Sequence, residues 1–144
     1  MDRKTMEKKR IVSFDLDMTL LDHGTWQIPE SAKKALELLR RDSVIVIATG
    51  RNMDHPLSVE YRDMVRPDAV IHMNGARVVA EGEVLYEHLM DKALLGDLLT
   101  YAGENGLALG ISLADGDYFT NPQVVDEWDM KRWGECGRQF KDAK

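Results

Sequence analysis

Cysteine is almost absent from this chain, since Cys136 is the only one among 144 residues. A single thiol cannot form an intrachain disulfide, so we expect a cytoplasmic protein in a reducing environment. No apolar run approaches the roughly 18 residues of a membrane span, and residues 1–10 lack the apolar stretch of a secretory signal. An excess of basic residues is absent as well. The net charge of −6 argues against nucleic acid as a partner.

What is present is the composition of an ordinary globular protein, 44% hydrophobic and 31% charged. Short apolar runs predict strands at Ile11–Phe14, Val44–Ala48 and Ala69–His72. Helical periodicity between these runs predicts a β-α-β-α-β order, which indicates an α/β fold with parallel strands and right-handed crossovers. The segment Arg77–Tyr86 then predicts a hairpin.

Two carboxylates and a hydroxyl follow the first predicted strand in the pattern Asp15-x-Asp17-x-Thr19. Residues i and i+2 of an extended chain point the same way, so Asp15 and Asp17 can face one pocket. Two crowded carboxylates suit a hard cation such as Mg²⁺. One of them can then attack a phosphoryl group while the other transfers a proton. Thr19 can support the loop through a side-chain hydrogen bond to the backbone. The alternative is a solvated turn after a strand.

A second polar segment, Thr49-Gly50-Arg51, follows the second predicted strand. Ligands of open α/β sheets bind outside the carboxyl ends of the parallel strands. A hydroxyl and backbone N–H groups can hold a phosphoryl oxygen there, and Gly50 lets the backbone approach closely. Arg51 can make a second phosphate or substrate contact, or it can instead pair with a surface carboxylate.

Three segments in this order resemble motifs of the haloacid dehalogenase-like hydrolases. The Asp15-x-Asp17-x-Thr19 segment is similar to their first motif, and Thr49-Gly50-Arg51 ends a strand as their second motif does. Met73-Asn74-Gly75-Ala76 resembles the Asn-Gly-Ala turn of the Cof-type subfamily. The resemblance covers residues 10 to about 120. It implies an incomplete Rossmann-like core at residues 1–85 and a partial α+β cap, of the type called C2, at residues 86–144.

The resemblance also implies an activity, that of a magnesium-dependent phosphatase acting on a small phosphorylated metabolite through an aspartyl-phosphate. Asp15 would be the nucleophile and Asp17 the general acid and base. Mg²⁺ would be held by the Asp15 carboxylate and the Asp17 backbone carbonyl. The residues implied in phosphate or substrate binding are Thr49, Gly50, Arg51 and Asn74.

Two later motifs of this family are missing from the sequence, namely a lysine that stabilises the aspartate and phosphate and an acidic pair that binds Mg²⁺. No Gly-Asp-x-x-x-Asp segment follows a strand in residues 121–144. We therefore expect a fragment or a naturally short form with impaired activity. The alternative is a truncated, non-catalytic module for binding or interaction. A receiver-like phosphoacceptor fits less well, because neither Val46–Thr49 nor Val70–His72 ends in Asp.

The missing half has a consequence for the first strand, which is central in this family. Without neighbours on its other side, Ile11–Phe14 becomes an apolar edge, so we expect self-association through it. The last third of the chain predicts one helix after Asp91 and another from Pro122. The second helix carries Trp128, Met130 and Trp133, which either pack into a core, the favoured interpretation, or line a substrate pocket.

Overall fold

The computed structural model describes residues 10–113, 115–134 and 141–142. Two compact units divide the chain, residues 1–88 and residues 89–144. The strands of the first unit are β1 (Arg10–Phe14), β2 (Ser43–Ala48), β3 (Ala69–His72), β4 (Arg77–Ala80) and β5 (Glu83–Glu87). Its helices are α1 (Glu30–Leu39) and α2 (Pro56–Val65).

One five-stranded sheet in the order β1-β2-β3-β4-β5 organises the first unit. The strands β1, β2 and β3 are parallel, and β4 and β5 extend the sheet beyond β3 as an antiparallel hairpin. Because α1 and α2 are successive right-handed crossovers in one direction, both lie on the same face of the sheet. The predicted β-α-β-α-β order is confirmed, and the predicted hairpin belongs to the same sheet.

The hydrophobic core lies between this helical face and the sheet. Its fully buried members include Ile45 and Ile47 of β2, Leu36 of α1 and Val65 of α2. Burying one such side chain contributes about 1.5–3 kcal/mol relative to leaving it in water. Three leucines from the loop after β1 belong to the same cluster, at positions 16, 20 and 21. The acidic loop is thus anchored by its apolar residues.

Local signals explain where several elements begin and end. The helix α2 starts at Pro56, and the His55 side chain caps it by accepting the N–H of Leu57 at 3.2 Å. The hairpin turn consists of Glu81 and Gly82, both with positive φ of 52° and 82°. Such a two-residue turn matches the twist of the flanking strands.

The second unit contains α3 (Lys92–Glu104), β6 (Gly110–Leu113), β7 (Gly116–Phe119), α4 (Pro122–Trp133) and β8 (Lys141–Asp142). Its strands form a three-stranded sheet in the order β6-β7-β8. The helix predicted after Asp91 is α3. Asp91 caps it, because its carboxylate accepts two N–H groups of the first turn.

The sequence favours core packing for Trp128, Met130 and Trp133 of α4. This prediction is wrong for the two residues whose side chains the structure describes. Trp128 is 47% exposed and Met130 is 51% exposed. The side chain of Trp133 lies outside the described part of the structure. No helix in the described ranges is long and apolar enough to cross a bilayer.

The strand β1 ends the sheet, and among the described residues no strand pairs with its outer edge. Ile11 on this strand is 73% exposed. An apolar run such as Ile11–Phe14 is typical of a buried strand, and that prediction is wrong for Ile11. Phe14 packs against the hydrophobic core, and side chains alternate along a strand, so Ile11 lies on the face of the sheet that points away from this core. In the described part of the chain, Ile11–Phe14 therefore forms the edge strand that the sequence predicts.

We expect the chain to associate with a second copy through this edge, because unpaired strand edges recruit other strands. Sedimentation velocity at micromolar concentration should show a dimer or larger species. Ile11→Lys, which places a charge on the edge, should shift the population towards monomer. Leu38→Lys on α1, at a residue that is 59% exposed, is the matched control and should leave association unchanged. A monomeric wild-type chain would contradict this expectation.

His72, at the end of β3, is a buried polar residue with a defined structural task. Its Nδ1 accepts the N–H of Met53 at 3.1 Å, which requires an unprotonated nitrogen. Burial lowers the pKa of His72 below its ordinary value. The charge of Asp54 opposes this shift, and the guanidinium groups of Arg77 and Arg62 add to it. The sequence predicts a structural or surface role for His72, because the histidines show no metal-ligand spacing, and this geometry agrees with a structural role.

This histidine should make the free energy of unfolding depend on pH. Unfolded His72 takes up a proton near its ordinary pKa of 6.5, whereas the folded ring stays neutral to lower pH. Stability should therefore fall as the pH decreases below 6.5. In His72→Asn the amide oxygen can accept the Met53 N–H without titrating, so urea unfolding should show a weaker pH dependence. The exposed-site variant His88→Asn should behave as wild type, and an unchanged slope in His72→Asn would refute this role.

Candidate active site

The loop after β1 is a tight turn built around one carbonyl oxygen. The oxygen of Leu16 accepts the N–H groups of Thr19, Leu20 and Leu21 at 3.3, 3.0 and 2.8 Å. Thr19 therefore supports the turn through its backbone. Its hydroxyl makes no hydrogen bond with any described residue, so the expected side-chain tie is not what holds the loop. Asp15 and Thr19 are exposed and Asp17 is partly buried, while the leucines of the turn are buried.

Asp15 lies at the carboxyl end of β1, and its side chain is open to solvent. Its Oδ1 accepts the N–H of Leu16 at 2.8 Å. In the described part of the chain, this is the only hydrogen bond of that carboxylate. One carboxylate oxygen is therefore accessible to a metal ion or a phosphoryl group.

Asp17 is in a different position, because three hydrogen bonds occupy its carboxylate. Arg51 binds it as a fork, with Nε 2.7 Å from Oδ2 and Nη2 2.7 Å from Oδ1. The Nε2–H of His23 donates to Oδ1 at 2.8 Å. Burial opposes the charge on Asp17, but these hydrogen bonds outweigh burial and lower the pKa of the carboxyl. Arg51 thus pairs with a carboxylate, as one of the two interpretations of the sequence has it, and its partner is the second motif aspartate.

The loops after β2 and β3 are held to each other by backbone hydrogen bonds. The N–H of Thr49 donates to the Ile71 oxygen at 2.9 Å, and the N–H of Met73 donates to the Arg51 oxygen at 3.0 Å. The N–H of Asn74 lies 3.4 Å from the Thr49 oxygen. The Thr49 hydroxyl in turn accepts the N–H of Arg51 at 3.1 Å. Two of the predicted motifs are therefore joined at the carboxyl edge of the sheet.

Gly50 lies in close contact with the side chain of Asn74. A Cβ atom at this position would lie 2.9 Å from the side-chain oxygen of Asn74, which is shorter than an ordinary contact. Asn74 itself has a φ of 55°, in the left-handed region that asparagine tolerates better than most residues. The small residue at 50 therefore lets the Asn74 amide lie directly beside the second motif.

Three residues near Asp17 were not singled out as functional by the sequence. The ring of His23 stacks on Trp26 with centroids 4.5 Å apart and an angle of 25°. The hydroxyl of Tyr61 on α2 donates to the Trp26 carbonyl oxygen at 3.1 Å. The Arg51 guanidinium lies 5.5 Å from the centre of the Tyr61 ring. The sequence predicts that His23 is a structural or surface residue, because the histidines show no metal-ligand spacing. No spacing rule connects His23, Trp26 or Tyr61 to Asp17.

The donors that could hold Mg²⁺ can be tested against this geometry. Mg²⁺ prefers oxygen ligands and is often bound by one or two carboxylates together with water and substrate. The accessible Asp15 carboxylate fits that preference, and the Asp17 backbone carbonyl is a donor of the same chemistry. The Asp17 carboxylate is already engaged by Arg51 and His23. Among the described residues, no three His, Cys, Asp or Glu side chains form a metal-binding group.

Met18, directly after Asp17, carries backbone strain. Its φ is 58°, and its side chain is 81% exposed. A non-glycine residue in the left-handed region costs about 1–2 kcal/mol. We therefore expect Met18→Gly to raise the free energy of unfolding by about 1 kcal/mol, measured by urea denaturation. Met64→Gly, within α2, is the matched control and should lower it by about 1 kcal/mol. A loss of stability in Met18→Gly would contradict the strain argument.

Comparison with known proteins places this geometry in a family. A family model for the haloacid dehalogenase-like hydrolases matches residues 12–141. The Bacillus subtilis (strain 168) protein YkrA, named as a candidate phosphatase, is 33% identical over 97 residues. That match covers 66% of this chain and 36% of YkrA.

Solved structures agree with the family match. A protein from Geobacillus kaustophilus HTA426 superposes with a TM-score of 0.76 at 27% identity, over 92% of this chain and 52% of its own. BT1666 from Bacteroides thetaiotaomicron, a phosphatase of this superfamily, gives 0.75 at 24% identity, over 99% and 53%. The subclass IIB sugar phosphatase BT4131 gives 0.73 at 23% identity, over 94% and 53%. The chain spans about half the length of these proteins. Because the family model covers most of its residues, the chain belongs to the haloacid dehalogenase-like hydrolases.

Proposed function

We propose that this chain carries the nucleophile and phosphate-binding part of a magnesium-dependent phosphatase that acts on a small phosphorylated metabolite. The observation that carries the proposal is the contrast between the two motif aspartates. The Asp15 carboxylate is accessible and accepts one hydrogen bond among the described residues. The Asp17 carboxylate accepts hydrogen bonds from Arg51 and His23. A nucleophile and a proton-transfer group need these different environments.

In the proposed reaction, an Asp15 oxygen attacks the phosphorus of the substrate and forms an aspartyl-phosphate. The bond from phosphorus to the leaving oxygen breaks, and that oxygen takes a proton from Asp17. Water then attacks the aspartyl-phosphate while Asp17 takes its proton, which releases inorganic phosphate and restores both carboxyl groups. When bound by the Asp15 carboxylate and the Asp17 carbonyl, Mg²⁺ would supply screening of the negative charges of carboxylate and phosphate.

The contacts of Asp17 bear on its role as an acid. With Arg51 and His23 donating to it, Asp17 is an ionised acceptor and has no proton to give. A substrate phosphate offers Arg51 another bidentate partner of higher charge. We infer that Arg51 turns from Asp17 to the phosphate when substrate binds. Loss of that cation raises the pKa of Asp17 and allows it to be protonated.

The remaining phosphate contacts would come from the joined loops after β2 and β3. The Thr49 hydroxyl is buried beside the Arg51 N–H, and Asn74 presents its amide next to Gly50. We propose that these groups bind the nonbridging oxygens of the phosphate. Because BT4131 is a sugar phosphatase, sugar phosphates are the first substrates to test.

A second candidate is a non-catalytic module that keeps this fold and binds phosphate or a partner. The observation that favours it is that the Asp17 carboxylate already accepts hydrogen bonds from Arg51 and His23 within the chain. The chain also spans about half of its solved relatives, so the activity of those proteins is carried over only as a proposal. The two candidates differ in whether the isolated chain turns over a phosphoester.

Asp15→Asn should abolish hydrolysis of p-nitrophenyl phosphate by the chain in the presence of Mg²⁺, because an amide cannot act as the nucleophile. Asp17→Asn should lower the rate severely. Asp63→Asn, at an exposed carboxylate on α2, is the matched control and should retain wild-type turnover. After an acid quench, mass spectrometry should locate phosphate on the peptide that contains Asp15.

Undiminished turnover in Asp15→Asn would refute the assignment of the nucleophile. A wild-type chain that shows no Mg²⁺-dependent turnover of this ester or of sugar phosphates would instead favour the non-catalytic module.

A further inference from the structure

A closed ring of contacts surrounds the Asp17 carboxylate. It runs from Asp17 to His23 by a hydrogen bond of 2.8 Å, and from His23 to Trp26 by ring stacking at 4.5 Å. Tyr61 bonds the Trp26 carbonyl at 3.1 Å, and its ring lies 5.5 Å from the guanidinium of Arg51. Arg51 returns to Asp17 through its fork. We call these five residues the contact ring.

Each of the two donors to Asp17 contacts an aromatic ring, His23 that of Trp26 and Arg51 that of Tyr61. Stacking on Trp26 restricts rotation of the His23 ring, and the Tyr61 ring restricts the guanidinium of Arg51. A cation held over an aromatic face gains about 0.5–1 kcal/mol at an exposed site and more when desolvated. The Tyr61 hydroxyl bonds the main-chain carbonyl of Trp26, so it connects the residue beside Arg51 to the backbone that carries the ring stacked on His23. A carboxylate held in this way has one orientation rather than several.

Trp26 is the member of the contact ring whose backbone is strained. Its φ is 54°, in the left-handed region, although its side chain is large. Strain of this kind costs of order 1–3 kcal/mol and persists only where surrounding contacts enforce it. Its carbonyl accepts the Tyr61 hydroxyl and its ring contacts His23, while the indole remains half exposed. Core burial therefore does not account for the conformation. It belongs to the turn that the backbone bridge between Asp22 and Gln27 closes, and this turn brings the Trp26 ring against His23.

We propose that His23, Trp26 and Tyr61 are positioning residues, which orient the Asp17 carboxylate for proton transfer through the two donors of the contact ring. This inference rests on the proposed function for its catalytic consequence. When Arg51 turns to the phosphate, His23 is the donor that stays on Asp17, and the Trp26 stack keeps it in place. The arrangement requires no direct contact between these three residues and the substrate.

Tyr61→Phe tests the ring with the smallest change, because it removes the hydroxyl and keeps the ring under Arg51. In the p-nitrophenyl phosphate assay we expect kcat to fall about tenfold, less than the hundredfold that a 1 Å misplacement can cost. KM should be unchanged, since binding of the ester does not use this hydroxyl. Tyr101→Phe on α3, at an exposed tyrosine, is the matched control and should keep both constants.

A second readout does not depend on activity. In nitrogen-15 NMR spectra of the ligand-free chain, the Arg51 Nε–H signal can be assigned by its loss in Arg51→Lys. Because this N–H donates to Asp17 at 2.7 Å, it should exchange slowly with water. We expect Tyr61→Phe to accelerate this exchange severalfold and Tyr101→Phe to leave it unchanged.

The His23 arm is tested by conservative rescue. A glutamine at 23 can place an amide N–H near the position of the histidine Nε2 and donate to Asp17, whereas leucine cannot. His23→Gln should therefore retain most of the wild-type kcat and His23→Leu should lose it, with equal KM. Equal kcat in the two variants would overturn the role of His23.

The two hypotheses can fail separately. Absence of turnover in the wild-type chain would count against the proposed function, and the Arg51 exchange rate would still decide whether the contact ring fixes Asp17. Unchanged Arg51 exchange in Tyr61→Phe would overturn the ring whatever the activity. Unchanged kcat alongside faster exchange would overturn its catalytic consequence.

Discussion

The ion pair between Arg51 and Asp17 is the interaction on which the candidate site depends. It joins residues 34 positions apart and links the loop after β1 to the loop after β2 through side chains. Without it, Asp15 and Asp17 would present two negative charges one residue apart with little to offset them. Both partners are about a quarter exposed, at 25% and 29%. We therefore expect this ion pair to contribute more to stability than the about 0–1 kcal/mol of a surface pair and less than the coupling energy of a buried pair.

Much of the fold could be predicted, because its signals are local. Apolar runs at Ile11–Phe14, Val44–Ala48 and Ala69–His72 correspond to β1, β2 and β3 within a residue. Proline at 56 and the glycine-containing hairpin turn at 81–82 also act through neighbouring residues. The position of the motifs follows from the same information, since parallel strands bring their carboxyl ends to one edge.

The contacts within the site could not be predicted in the same way. Whether Arg51 points to a phosphate or to a carboxylate depends on the register of β1 against β2, which places its loop beside Asp17. The His23–Trp26 stack depends on a backbone bridge between Asp22 and Gln27, which has no strong sequence signal. Whether a side chain is buried also depends on which elements lie next to it in the fold. The apolar pattern of β1 is that of a covered strand, but its outer edge has no described partner.

The loops after β2 and β3 are held by hydrogen bonds between main-chain atoms, from Thr49 to Ile71 and from Met73 to Arg51. Main-chain groups are the same for every residue except proline, so these bonds do not depend on the side chains that the loops present. A mutation that replaces a side chain of these loops can therefore change which groups this edge of the sheet presents while the main chain keeps its path. Side chains at this edge of the sheet can therefore change one at a time on an unchanged main-chain framework.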